Sequence, residues 1–210
     1  MTYAVKEAFL TLQGEGMQAG SRAVFLRFAG CNLWSGREVD RAAAQCRFCD
    51  TDFVGTDGEG GGKFVEAQEL AAHVEELWGS GLEDRLVVVT GGEPMLQFDA
   101  PLLSEFHSRG FRVAMESNGT LVADPRPDWL CISPKAATEV VQRSGDELKL
   151  VWPQDGIDLD ALEQWDFRHF LVQPMDGANR RAAVEASIAL VMERPRWRLT
   201  LQAHKLIGLP

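Results

Sequence analysis

Seven short apolar segments, spread along almost the whole chain, constrain the fold most strongly. They are typical of β-strands and cover residues 23–29, 86–90, 111–116, 129–132, 148–151, 170–172 and 197–201. Most are continuously apolar, as expected for parallel strands that are buried on both faces. Helical patterns lie between several of them, at residues 65–78, 101–108, 159–165 and 179–192, with Asp158 as the expected cap of the third.

This alternation of strands and helices predicts an α/β fold with a mostly parallel sheet. Seven strands with so few helices fit an open, partial TIM-like barrel better than a closed eightfold barrel. The 210 residues suffice for one domain with a full core and are short for two, so we expect a single domain over residues 1–210.

Polar or glycine residues directly follow five of these strands, where a plain core would not need them. Cys31 follows the first strand, and the others are followed by TGGEP (90–94), ESNG (116–119), SPK (133–135) and QPMD (173–176). The glycines of TGGEP are expected to let a ligand approach the backbone closely. Because the carboxyl ends of parallel strands meet at one edge of a sheet, we expect these segments to form one site.

Three of the four cysteines indicate a metal or cluster site. Cys46 and Cys49 are separated by two residues, and fourteen residues separate Cys31 from Cys46. Cys131 lies in the apolar strand WLCI and is interpreted as core packing. Three thiols are one ligand short of a closed zinc site, whereas a cluster held by three cysteines has one open iron. A histidine or Cys131 remains available as a fourth zinc ligand, so the thiols alone leave zinc and iron open.

Composition narrows the class of protein. The balance of 21 Lys and Arg against 31 Asp and Glu, a net charge of −10, argues against a nucleic-acid partner. The sequence shows no membrane-length apolar run and no secretory signal pattern. We therefore expect a cytoplasmic protein with reduced thiols, which favours a metal or cluster over disulfides. The segment GTDGEGGG (55–62) is predicted to be a flexible acidic loop.

A GGEP turn beside three thiols resembles the radical S-adenosylmethionine (SAM) superfamily, in which three cysteines hold a [4Fe–4S] cluster. More narrowly, the sequence resembles the 7-carboxy-7-deazaguanine synthase family. The motifs that carry this resemblance are FLTLQGEGMQAG (9–20), VFLRFAGCN (24–32), CRFCDT (46–51), TGGEP, ESNGT, SPK, QPMD and QAHKLIGLP (202–210). The superfamily spacing CxxxCxxC is not kept, so residues 32–45 are interpreted as an insert with a helical pattern at 38–45.

The resemblance implies an activity, cofactors and partners. A 5′-deoxyadenosyl radical would take a hydrogen atom from C6 of 6-carboxy-5,6,7,8-tetrahydropterin. Ring contraction with loss of ammonia would then give 7-carboxy-7-deazaguanine, on the route to 7-deazapurines such as queuosine. The implied cofactors are a [4Fe–4S] cluster, SAM and Mg²⁺, and the implied partners are an electron donor such as flavodoxin and a second copy in a homodimer.

The resemblance also implies roles for individual residues. Cys31, Cys46 and Cys49 would hold the cluster, and Thr51 would bind Mg²⁺. The positions that match SAM contacts are Phe48, Cys49, Asp50, Gly92, Glu116, Ser133, Pro134, Lys135, Gln173, Pro174, Met175 and Asp176. The positions that match substrate contacts are Leu12, Gln13, Gly14, Glu15, Arg27, Thr90, His204 and Pro210. For Arg27, which lies inside an apolar strand, a structural salt bridge is the alternative to a substrate carboxylate.

Two other functions remain open from the sequence. One is a radical SAM activating enzyme for a glycyl-radical protein, against which FLTLQGEG and the short chain argue. The other is a non-catalytic zinc-binding module, which explains the thiols but gives the five polar strand ends no purpose. Binding of the pterin would argue against the activating enzyme, and bound iron and sulfide would argue against the zinc-binding module.

Overall fold

The computed structural model describes residues 2–209, and within them nine strands form one sheet. Their spatial order is β3-β1-β2-β4-β5-β6-β7-β8-β9. The pairs from β2 and β4 through β8 and β9 are parallel, and β1 is antiparallel to both β2 and β3. The strands are β1 (Tyr3–Leu12), β2 (Arg22–Phe28), β3 (Gly62–Phe64), β4 (Leu86–Gly91), β5 (Arg112–Ser117), β6 (Trp129–Ile132), β7 (Ser144–Trp152), β8 (Asp166–Pro174) and β9 (Trp197–Leu199).

Five α-helices accompany the sheet in the described part of the chain. They are α1 (Ala67–Trp78), α2 (Ala100–Ser108), α3 (Leu159–Glu163), α4 (Arg180–Glu193) and α5 (Ala203–Ile207). Asp99 and Asp158 cap α2 and α3, because each side chain accepts a hydrogen bond from the backbone N–H of the third residue of its helix. α1 ends at Gly79, whose φ of 84° favours glycine. No helix within residues 2–209 has both the length and the apolar character needed to cross a membrane.

The sheet has two apolar faces with different roles. The main core packs one face against the helices and contains Leu70 and Val74 of α1 and Leu102 and Phe106 of α2. A smaller cluster of Ala23, Leu86, Val88 and Ala114, with Phe25 and Trp129, fills part of the opposite face. This second face is the interior of the open barrel, and its polar residues lie towards the carboxyl ends of the strands.

The predicted open, mostly parallel α/β barrel is confirmed. All seven predicted strands exist and are the seven that run parallel, and the four predicted helices exist with small changes in their bounds. Two strands, β1 and β3, and helix α5 were not predicted. In β1, the register with β2 shifts between Val5 and Glu7, so the strand lacks the regular alternation that would reveal it.

The glycine-rich segment at 55–62 is attached to the sheet, contrary to the expectation of a flexible loop. The backbone N–H of Ala8 donates to the carbonyl of Glu59 (2.7 Å), and that of Gly58 donates to the carbonyl of Lys6 (2.9 Å). A Cβ at Gly60 would overlap the Ala8 carbonyl, so glycine is needed there for close contact with β1.

Candidate active site

A cavity of about 430 Å³ opens at the carboxyl ends of the parallel strands. It brings together almost all the residues that the sequence predicted for the site. Those lining it are Leu12, Gln13, Gly14, Glu15, Arg27, Cys31, Cys46, Phe48, Cys49, Asp50, Thr51, Thr90, Gly92, Glu116, Ser133, Lys135, Gln173, Pro174, Met175, Asp176 and His204. Pro134 is buried outside the lining, where its carbonyl accepts from Gln154 Nε2 (3.4 Å). Pro210 lies outside the described residues.

The insert between the first two thiols is anchored to the loop that carries them. It includes a short 3₁₀ helix, Glu38–Ala43, in place of the predicted helical pattern at 38–45. The Arg41 guanidinium lies 4.0 Å from the Trp34 ring centroid and donates to the carbonyls of Arg47 (2.9 Å) and Cys49 (3.1 Å). These contacts hold the insert against the segment that contains Cys46 and Cys49.

The three thiols fit a cluster with an open side. All three line the cavity, and the interaction between the Cys46 and Cys49 sulfurs raises the pKa of Cys46 and lowers that of Cys49. In residues 2–209, no three His, Cys, Asp or Glu side chains are grouped closely enough to hold one metal ion. A thiolate donor set with one side facing a cavity suits an iron–sulfur cluster whose remaining iron binds a ligand.

Cys131 lies apart from these thiols, as predicted from its position in an apolar strand. It is buried inside the barrel, where its Sγ donates to Glu147 Oε1 (3.5 Å). Burial and the neighbouring Glu147 carboxylate raise the pKa of the Cys131 thiol well above its usual range. Cys131 does not line the cavity that the other three thiols line, so it is not placed to share a ligand with them.

The GGEP turn joins the loop of the thiols to the end of β5. A Cβ at Gly92 would overlap the carbonyl oxygen of Gly30, and the Glu93 N–H donates to that oxygen (2.9 Å). The fully buried Glu93 carboxylate accepts from Ser117 Oγ and Asn118 N, both at 2.8 Å. The glycine is therefore required first by the neighbouring backbone, and not only by a ligand as the sequence suggested.

A buried ionic network crosses the floor of the cavity. Lys149 Nζ donates to Glu15 Oε2 (2.6 Å) and to Glu116 Oε2 (3.0 Å). The second oxygen of each carboxylate accepts from an amide: Glu15 Oε1 from Gln202 (2.9 Å), and Glu116 Oε1 from Gln13 (2.9 Å). Burial opposes ionisation of Glu15, but Lys149 and Gln202 outweigh it and hold the pKa of Glu15 well below its usual range.

Arg27 forms the structural salt bridge that was one of its two expected roles. Its Nε donates to Glu7 Oε1 (2.7 Å), and one terminal nitrogen reaches the carbonyl of Gly91 (3.4 Å). The guanidinium still lines the cavity, so the ion pair leaves part of it facing the space where a ligand would lie.

The C-terminal segment closes one side of the cavity. The Ala203 N–H donates to the Gly14 carbonyl (2.8 Å), and a Cβ at Gly14 would overlap the His204 ring. Lys205 Nζ donates to Asp50 (2.6 Å) and Asp176 (2.7 Å), which belong to two of the predicted SAM-binding segments. This Lys205 clasp, the contact of Lys205 with Asp50 and Asp176, ties α5 to the loop of the thiols.

Two further polar side chains, Gln173 and Lys135, line the cavity. Gln173 Oε1 is buried and has no hydrogen-bond partner among residues 2–209, so it offers an acceptor to a bound molecule. Lys135 Nζ donates to the backbone carbonyl and Oγ of Ser133 (2.7 Å each) at the end of β6. Burial lowers the pKa of Lys135.

Sequence reasoning missed Lys149, Gln202 and Lys205. Lys149 lies within β7 and not directly after an apolar segment. The signal was present in DELKLV, where Glu147 and Lys149 alternate with Leu148 and Leu150 and so point to the barrel interior. Gln202 and Lys205 belong to QAHK, of which only His204 was assigned a role.

Comparisons with known proteins agree with this site. The sequence profile of the radical SAM superfamily matches residues 40–145. The 7-carboxy-7-deazaguanine synthase of Caulobacter vibrioides is 59% identical over 210 residues, covering 100% of both chains. The chain belongs to the 7-carboxy-7-deazaguanine synthase family of radical SAM enzymes. The synthase of Bordetella pertussis is 56% identical over 210 residues, with the same full coverage.

A solved structure supports the 7-carboxy-7-deazaguanine synthase fold independently. The crystal structure of QueE from Escherichia coli aligns with a TM-score of 0.71 at 26% identity and covers 97% of this chain and 95% of that one. The superfamily profile starts at residue 40, inside the insert and after Cys31. Cys31 therefore lies outside the residues that the profile matches.

Proposed function

We propose that the chain converts 6-carboxy-5,6,7,8-tetrahydropterin to 7-carboxy-7-deazaguanine with loss of ammonia. The observation that supports this most is the convergence on one cavity of the three thiols, the predicted SAM contacts and the predicted substrate contacts. Relatives that match this chain over its full length are named 7-carboxy-7-deazaguanine synthase, which supports the same activity for this cavity.

In this proposal, Cys31, Cys46 and Cys49 hold the [4Fe–4S] cluster. Bound there, the cluster and SAM would supply the 5′-deoxyadenosyl radical that takes a hydrogen atom from C6 of the pterin. The chain's own residues bind and orient the two organic molecules. Gln173 would offer its unpaired acceptor to SAM, and Lys135, beside Ser133 at the end of β6, lines the same cavity.

The pterin lies, in this proposal, between the N-terminal motif and the C-terminal segment. Gln13 and Glu15 read the donors of the pterin ring edge, and Arg27 pairs with its carboxylate. Thr51 would contribute a hydroxyl ligand to Mg²⁺, for which the substrate carboxylate would be a further oxygen ligand. The protein would work in the cytoplasm as a homodimer, with an electron donor such as flavodoxin.

A reconstitution experiment tests the proposed function. Protein reconstituted anaerobically with iron and sulfide is incubated with reductant, SAM, Mg²⁺ and the carboxypterin, and the deazaguanine product is detected by mass spectrometry. We expect product only when the cluster, reductant, SAM and the carboxypterin are all present, and a lower rate when Mg²⁺ is omitted. Bound zinc without iron or sulfide after reconstitution, or no product from an iron-loaded protein, would reject the proposal.

A further inference from the structure

We propose that Lys149 is a positioning and specificity-determining residue that, by bridging Glu15 and Glu116, keeps Glu15 as a fixed, ionised hydrogen-bond acceptor for the pterin. The identity of the ligand rests on the proposed function. The placement of the two carboxylates does not, since it follows from contacts within the protein.

The first argument is geometric. The Lys149 side chain is only 4% exposed, and its Nζ contacts one oxygen of each carboxylate. Gln202 and Gln13 each donate to one of the two remaining oxygens. Each of the four carboxylate oxygens therefore has a hydrogen-bond partner. Together these contacts link the N-terminal motif, β5, β7 and the C-terminal segment. Each carboxylate oxygen has more than one lone pair, so both groups keep acceptor capacity that faces the cavity.

The second argument concerns charge. Two carboxylates that share one cation would repel each other without it, and one of them would then bind a proton near neutral pH. The other titratable or charged groups that face Lys149 are Cys131 from β6, Glu147 from β7 itself, Lys135 beyond β6, and His204 beside Glu15. Burial alone would lower the pKa of Lys149, but Glu116 and Glu15 raise it well above its usual range. Lys149 is therefore charged wherever the protein is folded near neutral pH.

The third argument links this charge to recognition. A 2-amino-4-oxo pterin ring presents two adjacent donors, the ring N–H and the amino group, along one edge. An ionised carboxylate accepts from both, whereas a protonated carboxyl group has lost an acceptor and presents a donor of its own. By keeping Glu15 ionised, Lys149 selects for this edge and against a ring in which a second oxo group replaces the amino group.

The test compares Lys149→Met with Lys149→Arg, which keeps the charge. Binding of the carboxypterin to reconstituted protein is measured by calorimetry without reductant, so that no turnover occurs. The titration runs from about pH 5 to about pH 9. We expect Lys149→Met to bind at least about tenfold more weakly at neutral pH, with recovery as the pH rises and Glu15 loses its proton. Wild type should show little pH dependence, and Lys149→Arg should restore most of the affinity.

Infrared difference spectra over the same pH range provide a readout that needs no ligand. Lys149→Met should show a protonated carboxyl band that is absent from wild type and disappears in Lys149→Met/Glu15→Gln. Glu147→Gln is the matched control, because it removes a buried charge from the same strand and should keep wild-type affinity and spectra. If Lys149→Met does not fold, the double variant Lys149→Met/Glu116→Gln is used, because it removes the repulsion between Glu15 and Glu116. This double variant should fold and should lack the protonated carboxyl band.

The outcomes separate the two proposals. Unchanged affinity in Lys149→Met, with no new carboxyl band, would overturn the role of Lys149. If wild type fails to bind the carboxypterin while the band appears as expected, the proposed substrate is wrong and the role of Lys149 in ionising Glu15 stands. Equal weakening in Glu147→Gln and Lys149→Met would assign the effect to the general loss of a buried charge, and would also overturn the proposal.

Discussion

The carbonyl oxygen of Gly30 occupies the space into which a Cβ on Gly92 would project. Gly30 immediately precedes the first thiol of the cluster loop, and Gly92 belongs to the turn after β4. The Glu93 N–H donates to the same carbonyl, and the Glu93 carboxylate holds the end of β5. The position of Cys31 therefore depends on a turn sixty residues away in the chain.

This relationship predicts the effect of Gly92→Ala. The added methyl group must push the Gly30 carbonyl aside, which we expect to cost about 2 kcal/mol or more and to lower the thermal midpoint by about 4 to 8 °C. Because Cys31 follows Gly30, iron content after reconstitution should fall as well. Gly81→Ala is the matched control, since a Cβ there meets only Trp78 Nε1, at an ordinary 3.7 Å. Full iron content in Gly92→Ala would show that the loop adapts without disturbing the thiol.

The four cysteines divide into two groups that substitution should separate. Cys131→Ser changes a buried side chain that contacts Glu147, outside the cavity, so iron and sulfide content should stay near wild type. Cys49→Ser removes a thiol that lines the cavity, so reconstitution should give much less bound iron and sulfide. The comparison is made by chemical analysis of both after anaerobic reconstitution. Loss of the cluster in Cys131→Ser would contradict the assignment of Cys131 to the core.

The parallel part of the fold could be predicted because burial on both faces leaves a strong sequence signal. In β4, residues from Leu86 to Thr90 are all buried, so the segment reads as a strand without any tertiary information. β1 gave no such signal, because its register shift mixes the two faces. The three-residue strand β3 and the five-residue helix α5 are too short for periodicity to identify them.

The site could be predicted most readily where a polar or glycine residue directly follows an apolar run of the sequence. Cys31, Gly92 and Gln173 were found because polar residues directly after an apolar run are conspicuous. For Lys149, the alternation in β7 indicates which face of the strand the side chain lies on, but not which carboxylates it contacts. Glu15 and Glu116 are 134 and 33 residues away from Lys149, a pairing that local pattern does not contain.

Substitution of Arg27 tests whether one guanidinium can bind both the Glu7 carboxylate and the substrate carboxylate. We expect Arg27→Gln to weaken binding of the carboxypterin at least about tenfold, because a charge-assisted pair with the carboxylate is lost. Glu7→Gln should reduce stability but keep most of the affinity, since the guanidinium remains. Calorimetry with a tetrahydropterin that lacks the carboxylate is the matched ligand control, and its affinity should respond little to Arg27→Gln.

A different outcome would show that Arg27 has only a structural role. If Glu7→Gln and Arg27→Gln weaken binding of the carboxypterin equally, the ion pair acts only by supporting β1 and β2. The substrate carboxylate must then be held by other groups.

The Lys205 clasp predicts an effect on SAM binding with little effect on stability. Lys205 is about one-third exposed, and exposed ion pairs contribute roughly 0–1 kcal/mol to folding, so Lys205→Ala should change the thermal midpoint by no more than about 4 °C. The hydrogen bond from Lys205 lowers the pKa of Asp176, so the clasp is intact at neutral pH. Without it, α5 is no longer tied to Asp50 and Asp176, and SAM affinity should fall by about three- to tenfold.

The same loss should follow from salt, which screens partly exposed charges. SAM affinity of wild type should decrease as ionic strength rises, and Lys205→Ala should show a smaller decrease, both measured by calorimetry on reconstituted protein. Lys63→Ala on β3 is the control for removing an exposed lysine, and it should match wild type in both measurements. Equal salt dependence in wild type and Lys205→Ala would mean that the clasp does not contribute to SAM binding.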